Sequence, residues 1–377
     1  MPYGARVSSR IIMARAAASS CPTLPWSQTL SELDYPLASR PAPLSNGRWQ
    51  AAAPMACARK FHTSTLLIDG SVLVAGGSDR AGDLKSAERY APIADQWHAA
   101  ASMSTPRCHH NATRLLSGCV LVTGGFSGAA LRSAELFDPI QNQWCATPLM
   151  QHAQGHGLHT ATLLQDGRVL VASSSGAELF DPDRNTWHAT AFFGSDYQTA
   201  TLMQDGHVLL AGGSCPWDVM GTSAMVTRYI PATERWQPAR HLPQSRVRHN
   251  ATLLKNGHLL IAAGDDGRCQ YVTHSLCYDP VLDLWSFAGA LTTAREHCTN
   301  TCLLDGSVML VGGDGAEGIL ASAERFDSDR NRWQPTAAMF EARYLHSATL
   351  LEDGRLLVAG GVGQSAALAS VEIFSAG

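Results

Sequence analysis

The chain has 377 residues and a formal net charge of −4, from 28 lysines and arginines against 32 aspartates and glutamates. The basic residues form no stripe or cluster, so we expect no nucleic-acid partner. No apolar run approaches the ~20 residues that cross a bilayer, so we expect no membrane partner either.

Residues 1–44 predict a poorly ordered N-terminal arm, because they are rich in alanine, serine and proline. The arm carries Arg6, Arg10 and Arg15, and Arg15 interrupts the one candidate for the apolar core of a secretory signal. A secretion or targeting role for this arm stays open.

The ten cysteines share no spacing with any repeat and include no CxxC pair. This distribution argues against a structural zinc site and favours a reducing compartment. We therefore expect a cytoplasmic protein, and we assign it no metal and no cofactor.

Tryptophans recur along the rest of the chain at intervals of 48, 47, 43, 49, 49 and 48 residues. A fixed period of this size indicates one supersecondary unit copied many times. The seven repeated positions are Trp49, Trp97, Trp144, Trp187, Trp236, Trp285 and Trp333.

Each repeat unit reads as four short strands and shows no helical periodicity. The first strand ends in a turn pair such as Asp69-Gly70, the second in a small pair such as Gly76-Gly77, and the third carries an aromatic seven residues before the tryptophan. Tight antiparallel hairpins suit the turn pairs, since glycine adopts positive φ without steric cost. Four strands repeated radially predict the blades of an all-β propeller.

The ends of the array predict a closed ring of seven blades. The last unit stops after Phe374, just short of its fourth strand. Trp49 belongs to a fourth strand that is not preceded by the first three strands of a unit. We expect the N-terminal strand to complete the C-terminal blade, which removes an open sheet edge. The predicted propeller covers residues 45–377, with the closing strand at 45–55 and blades at 56–104, 105–150, 151–193, 194–242, 243–291, 292–339 and 340–377.

The units resemble kelch repeats, and the resemblance covers residues 45–377. It rests on the glycine pairs, the aromatic seven before each tryptophan, and phrases such as RKFHTSTLLIDGSVLVAGG (59–77) and ARYLHSATLLEDGRLLVAGG (342–361). Both phrases are similar to bacterial kelch and galactose-oxidase-like propeller units. The resemblance implies a propeller fold, but kelch propellers include copper oxidases, sialic-acid epimerases, plant specifier proteins and protein-binding adaptors. Fold-level analogy does not choose among these functions.

A ring of histidines stands eight residues before the turn glycines. Neutral imidazoles that converge on the channel could bind a ligand or transfer protons near neutral pH, and the resemblance places a copper ligand of some relatives near this position. The alternative is structural, with each imidazole bonded to a neighbouring carbonyl. The candidate ligand-binding residues of this ring are His62, His110, His159, Gln198, His249 and His346, with Cys298 in the remaining blade.

A ring of arginines stands three residues before the histidine ring, and glutamates recur two residues before the third-strand aromatics. We expect a structural lattice of arginine–glutamate pairs between blades, because the guanidinium fork suits bidentate pairing. Arg246 has Leu276 in place of its glutamate, so we also consider Arg246 a candidate for binding an anionic ligand.

Departures from the repeat mark further candidates, since a blade does not need them. His156 replaces the ring arginine in blade three, Tyr197 precedes Gln198 in blade four, and Trp217 lies in the longest insertion. Asp265 and Asp314 follow the small pairs of adjacent blades. We consider His156, Tyr197, Asp265 and Asp314 candidate catalytic residues and Trp217 a candidate ligand-binding residue.

Three functions remain open at this stage, and whether the chain is an enzyme is one of the open points. The first is binding of a small ligand or a protein partner at the channel face that the inter-blade loops form. The second is acid–base catalysis on a small metabolite in the channel, of the isomerase, cyclase or lyase type. The third is a copper radical oxidase, although no tyrosine directly precedes a ring histidine.

Overall fold

The computed structural model describes residues 46–155, 159–191, 194–214, 221–268 and 270–376. The predicted arm, His156 and Trp217 lie outside these ranges. The described residues form seven four-stranded antiparallel sheets and one two-stranded sheet, arranged as a propeller. No helix occurs among them, and therefore none that is long and apolar enough to cross a membrane. The all-β, seven-bladed fold class is confirmed.

The strands follow one another in chain order, and each blade has one four-stranded sheet, the seventh being completed by the closing strand. Strand β1 spans Arg48–Ala52. Blades one to three contain β2 (Thr63–Leu66), β3 (Val72–Ala75), β4 (Ala87–Ala91), β5 (Gln96–Ala100); β6 (Asn111–Arg114), β7 (Val120–Thr123), β8 (Ala134–Asp138), β9 (Gln143–Ala146); β10 (Thr160–Leu163), β11 (Val169–Ser173), β12 (Gly176–Asp181) and β13 (Thr186–Thr190). Blades four and five contain β14 (Thr199–Leu202), β15 (Val208–Ala211), β16 (Val226–Ile230), β17 (Arg235–Pro238); β18 (Asn250–Leu253), β19 (Leu259–Ala262), β20 (His274–Asp279) and β21 (Leu284–Ala290). Blades six and seven contain β22 (Thr299–Cys302), β23 (Val308–Val311), the short pair β24 (Asp314–Gly315) and β25 (Gly318–Ile319), β26 (Ala323–Asp327), β27 (Arg332–Thr336); β28 (Ser347–Leu350), β29 (Leu356–Ala359) and β30 (Val371–Ser375).

The ring closes as the sequence predicts. β1 pairs antiparallel with β30, and Trp49 lies directly opposite Phe374. Their ring centroids are 5.3 Å apart, and Trp49 Nε1 donates to the carbonyl of Ala337 in the preceding blade at 2.8 Å. The same cross-strand stacking and inter-blade hydrogen bond recur at Tyr90 and Trp97. The seven-residue spacing therefore serves to place an aromatic partner opposite each tryptophan.

The hydrophobic core lies between neighbouring blades. The second strands are buried at every position, because a strand in the middle of a propeller blade faces another sheet on both sides. For example, Leu73 and Ala75 of β3 pack with Val120 and Val122 of β7. Each blade therefore depends on the next for its core, as expected for a stacked repeat.

The small pairs lie where the backbones of adjacent blades approach closely. A Cβ added at Gly360, which has φ +61, would lie 2.6 Å from the carbonyl oxygen of Arg59 and 2.8 Å from Cε1 of His62 in the next blade. Blade five has Ala263 at this position with φ 61, and the histidine of the next blade is replaced there by Cys298. Ala263 and Cys298 pack in one cluster, so the smaller side chain leaves room for the methyl group.

Candidate functional site

Six residues immediately before the histidine-ring positions form a second ring at the channel face, which we call the left-handed ring. All six have φ between 51 and 55 although none is glycine. Such backbone costs free energy and is concentrated at ligand sites in many proteins. The members are Phe61, His109, Tyr197, Arg248, His297 and Leu345.

The left-handed ring surrounds one cavity of about 450 Å³, and all six members line it. Five residue types occupy these six positions, whereas histidine occupies five of the seven positions in the neighbouring histidine ring. Of these six residues, the amino-acid sequence identified only Tyr197 as a candidate site residue. Variation at a single register within an otherwise regular repeat is the signal that would have identified the others.

A second cavity of about 360 Å³ adjoins the first between blades four, five and six. Tyr197 and Arg248 line both cavities, while Asp265, Tyr271 and Glu296 line the second. The two cavities therefore form one continuous polar recess, which we call the Arg248 recess.

Arg248 is the centre of a charged cluster in this recess. Its Nη1 donates to Asp265 Oδ2 at 3.2 Å and to Glu296 Oε2 at 3.3 Å. The guanidinium lies over the Tyr197 ring, with Cζ 5.3 Å from the centroid. Both carboxylates are largely buried, whereas the Arg248 side chain is 37% exposed. The cluster thus presents a partly exposed cation at the centre of the recess.

Glu296 holds its proton up to near neutral pH. Burial, followed by the hydrogen bond to Asp265, raises the pKa of Glu296 to about 7, although Arg248 opposes this shift. Burial and Arg248 lower the pKa of His297 to about 4, so this imidazole is neutral. Burial and the nearby carboxylates of Asp314, Glu296 and Asp265 raise the pKa of Tyr271, which therefore keeps its hydroxyl proton.

The histidine ring connects neighbouring blades. His62 Nε2 lies 2.8 Å from Ser347 Oγ, and His110 and His249 make the equivalent bonds to Thr63 and Thr199 at 3.0 Å. His346 bonds Thr299 at 3.0 Å, and His159 bonds Thr123 at 3.2 Å. Burial lowers the pKa of His62 to about 3, so the imidazole is neutral. These contacts favour the structural interpretation of the ring, although His249 and Gln198 also line the larger cavity.

The arginine–glutamate pairs lie within blades, so the expected pairing between blades is wrong. Arg107 Nη2 donates to Glu135 at 2.8 Å, and the same carboxylate accepts from the backbone N–H of Ser104 at 2.8 Å and Thr105 at 3.3 Å. The arginine precedes the first strand of the sheet whose third strand carries the glutamate, so both residues belong to one blade. Equivalent pairs join Arg59 to Glu88, Arg295 to Glu324 and Arg343 to Glu372.

Blade three corrects the predicted register of the arginine ring. Gly125 N donates to the carbonyl of Gln154 at 2.6 Å, as Gly77 N donates to that of Arg107 at 2.8 Å. Gln154, rather than His156, therefore holds the arginine position. The reason is two extra residues, because Gln154 lies five positions before His159 whereas Arg107 lies three before His110.

Blade five leaves a buried guanidinium without its carboxylate. Arg246 is fully buried, and its Nη1 donates to the carbonyl of His274 at 3.0 Å. Its Nε and Nη2 have no partner among the residues that the structure describes. Burial lowers the pKa of Arg246 to about 10. Arg246 lines neither cavity of the recess.

The remaining predicted site residues divide between the recess and its surroundings. Tyr197 and Asp265 line the recess. Asp314 exchanges two backbone hydrogen bonds of 2.9 Å with Glu296 but does not line either cavity. The sequence-based candidates did not include the central residues of the recess, which are Arg248, Glu296 and His297. Within the described ranges, no group of three or more histidine, cysteine, aspartate or glutamate side chains is placed to hold a metal ion.

Comparisons with known proteins agree with this architecture. The family model of the kelch motif matches residues 59–104 and 107–151. Kelch-like protein 36 of Bos taurus, Rattus norvegicus and Mus musculus is 32% identical over 108 residues, which are 28% of this chain and 17% of each relative. The match therefore spans under a fifth of the length of these curated relatives.

A solved structure of a fungal alcohol oxidase of the AA5 family, in complex with copper, superposes with a TM-score of 0.74. The two chains are 18% identical, and the alignment covers 88% of this chain and 76% of the oxidase. At this identity the likeness shows the fold alone.

The fold and the closed array of blades define the molecule as a seven-bladed β-propeller. The kelch motif model matches the first two blades, and the same spacing of small pair, aromatic and tryptophan recurs in the other five, which supports a kelch-repeat type of β-propeller.

Proposed function

We propose that this kelch propeller binds a small polar ligand in the Arg248 recess. The observation that carries the proposal is the position of Arg248, which lines both cavities and keeps a partly exposed guanidinium between buried carboxylates. Kelch propellers serve as scaffolds for protein or ligand binding. Here the concave shape favours a small molecule, since cavities of about 360 and 450 Å³ lie within the usual range for such ligands.

Replacing Arg248 by methionine tests the ligand site. The variant keeps much of the apolar stem but loses the charge, so ligand affinity falls by about ten- to a hundredfold. The measurement is the shift in Tm with a panel of small acids, amines, sugars and amides, followed by calorimetric titration of each compound that stabilises the protein. Arg184→Met is the matched control, because the Arg184 side chain is 80% exposed and pairs with Asp181 in an outer turn.

The proposed site is wrong if every stabilising compound binds Arg248→Met as tightly as it binds Arg184→Met and the unmodified protein. If no compound stabilises the protein and a protein partner instead binds in an Arg248-dependent way, the channel face serves protein recognition.

A second candidate function is acid–base catalysis on a small metabolite. The Asp265–Glu296 pair favours it, because Glu296 has a pKa of about 7 and lies beside a partly exposed cation. A group with this pKa exchanges a proton readily near neutral pH. Glu296 would act as the acid or base, Asp265 would accept a hydrogen bond from its protonated form, and Arg248 would stabilise its anionic form.

The pH dependence of folding tests the raised pKa of Glu296 without a substrate. The pKa of Glu296 is raised above its unfolded value, so this group favours folding below about pH 4.5 and loses that contribution as the pH rises to about 7. We expect Glu296→Gln to gain about 1–2 kcal/mol relative to the unmodified protein across this window, allowing for partial solvent screening. Urea unfolding of both proteins at several pH values measures the difference. A constant difference would show that Glu296 titrates normally, which removes the support for catalysis.

A further inference from the structure

The guanidinium of Arg248 is only partly used by the protein. Nη1 serves both carboxylates, and Nε is buried without a hydrogen-bond partner. Nη2 donates to no residue among those described, although the side chain is 37% exposed. The exposed part of the guanidinium is therefore its terminal end, and Nη2 offers two N–H donors to the recess.

Taking the proposed ligand site as given, we propose that its ligand is a small organic acid whose carboxylate accepts hydrogen bonds from Nη2 of Arg248. The contact with Tyr197 and the hydrogen bonds to Asp265 and Glu296 hold the guanidinium in place, since Cζ lies over the Tyr197 ring at 5.3 Å. An arginine that is already oriented loses little conformational entropy when it binds an anion.

The groups around Arg248 favour an acceptor on the ligand. Tyr271 lines the recess and keeps its proton, so its hydroxyl can donate. The carboxylates of Asp265 and Glu296 already accept from Nη1. The unused donors, Nη2 of Arg248 and the Tyr271 hydroxyl, thus lie beside the position of the ligand carboxylate. Hydrogen bonds between ionised partners are stronger than those between neutral ones.

The charge of the recess favours a monoanion over phosphate. While Glu296 holds its proton, the single charge of Arg248 balances the carboxylate of Asp265. A carboxylate adds one negative charge beside this neutral cluster, whereas a phosphate near neutral pH adds close to two. The second charge would be repelled by the Asp265–Glu296 pair at short range.

Binding of the organic acid is expected to weaken as the pH rises through about 7. Four further titratable groups lie around the cluster of Arg248, Asp265 and Glu296: Tyr197, Tyr271, His297 and Asp314. His297 and Tyr271 are neutral in this range, since the pKa of the first is lowered to about 4 and that of the second is raised. Loss of the Glu296 proton is then the main change, and it adds a negative charge beside the ligand.

Titration with matched pairs of carboxylates and amides tests the inference on the full chain. The probes are benzoate with benzamide, lactate with lactamide, and inorganic phosphate, each followed by calorimetry at pH 6 and pH 8. We expect at least one carboxylate to bind about tenfold more tightly than its amide at pH 6. Arg248→Met removes this preference, Arg248→Lys retains part of it, and Glu296→Gln removes the pH dependence. Arg184→Met leaves all of these values unchanged.

The outcomes separate this inference from the proposed ligand site. If an amide binds as tightly as its carboxylate, or phosphate binds more tightly, and this binding requires Arg248, the ligand site stands and the organic-acid inference is overturned. If none of the carboxylates binds at millimolar concentration, the inference is likewise overturned. If no probe and no compound of the wider panel depends on Arg248, both proposals fall.

Discussion

Replacing Glu135 by leucine lowers the free energy of unfolding by about 3–5 kcal/mol. The carboxylate accepts from Arg107 and from the backbone N–H groups of Ser104 and Thr105, and all of these donors lose their acceptor in the variant. Arg107 is fully buried, so its charge is left without compensation. Leucine fills a similar volume, so the loss reports the polar contacts rather than a cavity. Urea unfolding monitored by tryptophan fluorescence measures the change.

Blade five provides the reciprocal experiment, because Leu276 stands there in the place of the glutamate. Leu276→Glu supplies Arg246 with its missing acceptor and raises the free energy of unfolding by about 1–3 kcal/mol. Pro243 occupies one of the two backbone positions that donate in other blades and has no N–H, so the gain is smaller than the loss at Glu135. A similar destabilisation by both substitutions would contradict the role that we assign to the buried pairs.

Replacing Gly360 by alanine lowers the free energy of unfolding by about 3 kcal/mol. The new methyl group would meet the carbonyl oxygen of Arg59 at 2.6 Å and Cε1 of His62 at 2.8 Å. The backbone φ of +61 adds a further cost for a residue with a side chain. Because the contact joins blade seven to blade one, the variant weakens the closure of the ring.

Gly128→Ala is the matched control for Gly360→Ala. Gly128 has a similar φ of +70, but nothing lies within 4 Å of an added Cβ. Its loss is about 1 kcal/mol and isolates the backbone term. Equal losses in thermal unfolding of the two variants would show that the inter-blade contact contributes nothing.

The sequence was sufficient for most of the fold. The tryptophan period, the aromatic seven residues earlier and the incomplete last unit predicted the propeller and the pairing of β1 with β30. These features are repeated seven times, so each copy supports the others. The registers were wrong in blade three, where two extra residues displaced the arginine position from His156 to Gln154.

The recess was predicted less completely. Tyr197, Gln198, His249 and Asp265 were named from the sequence and line the recess, yet Arg248, Glu296 and His297 were not named. The repeats made the constant histidines and arginines the most visible candidates. The histidines, however, make contacts between blades, and the arginines pair within blades. The variable residues beside them face the channel, but nothing in one blade shows that neighbouring blades bring their side chains together.

The amino-acid sequence by itself determined the number of blades, the strands of each blade and the closure of the ring, because these depend on local patterns and on contacts between successive repeats. The tertiary structure alone decided that Arg248, Asp265 and Glu296 meet in one recess. These three residues come from neighbouring blades, and circular packing orients their loops toward a common channel. The resulting burial, which raises the pKa of Glu296 to about 7, depends on that packing and on no local pattern.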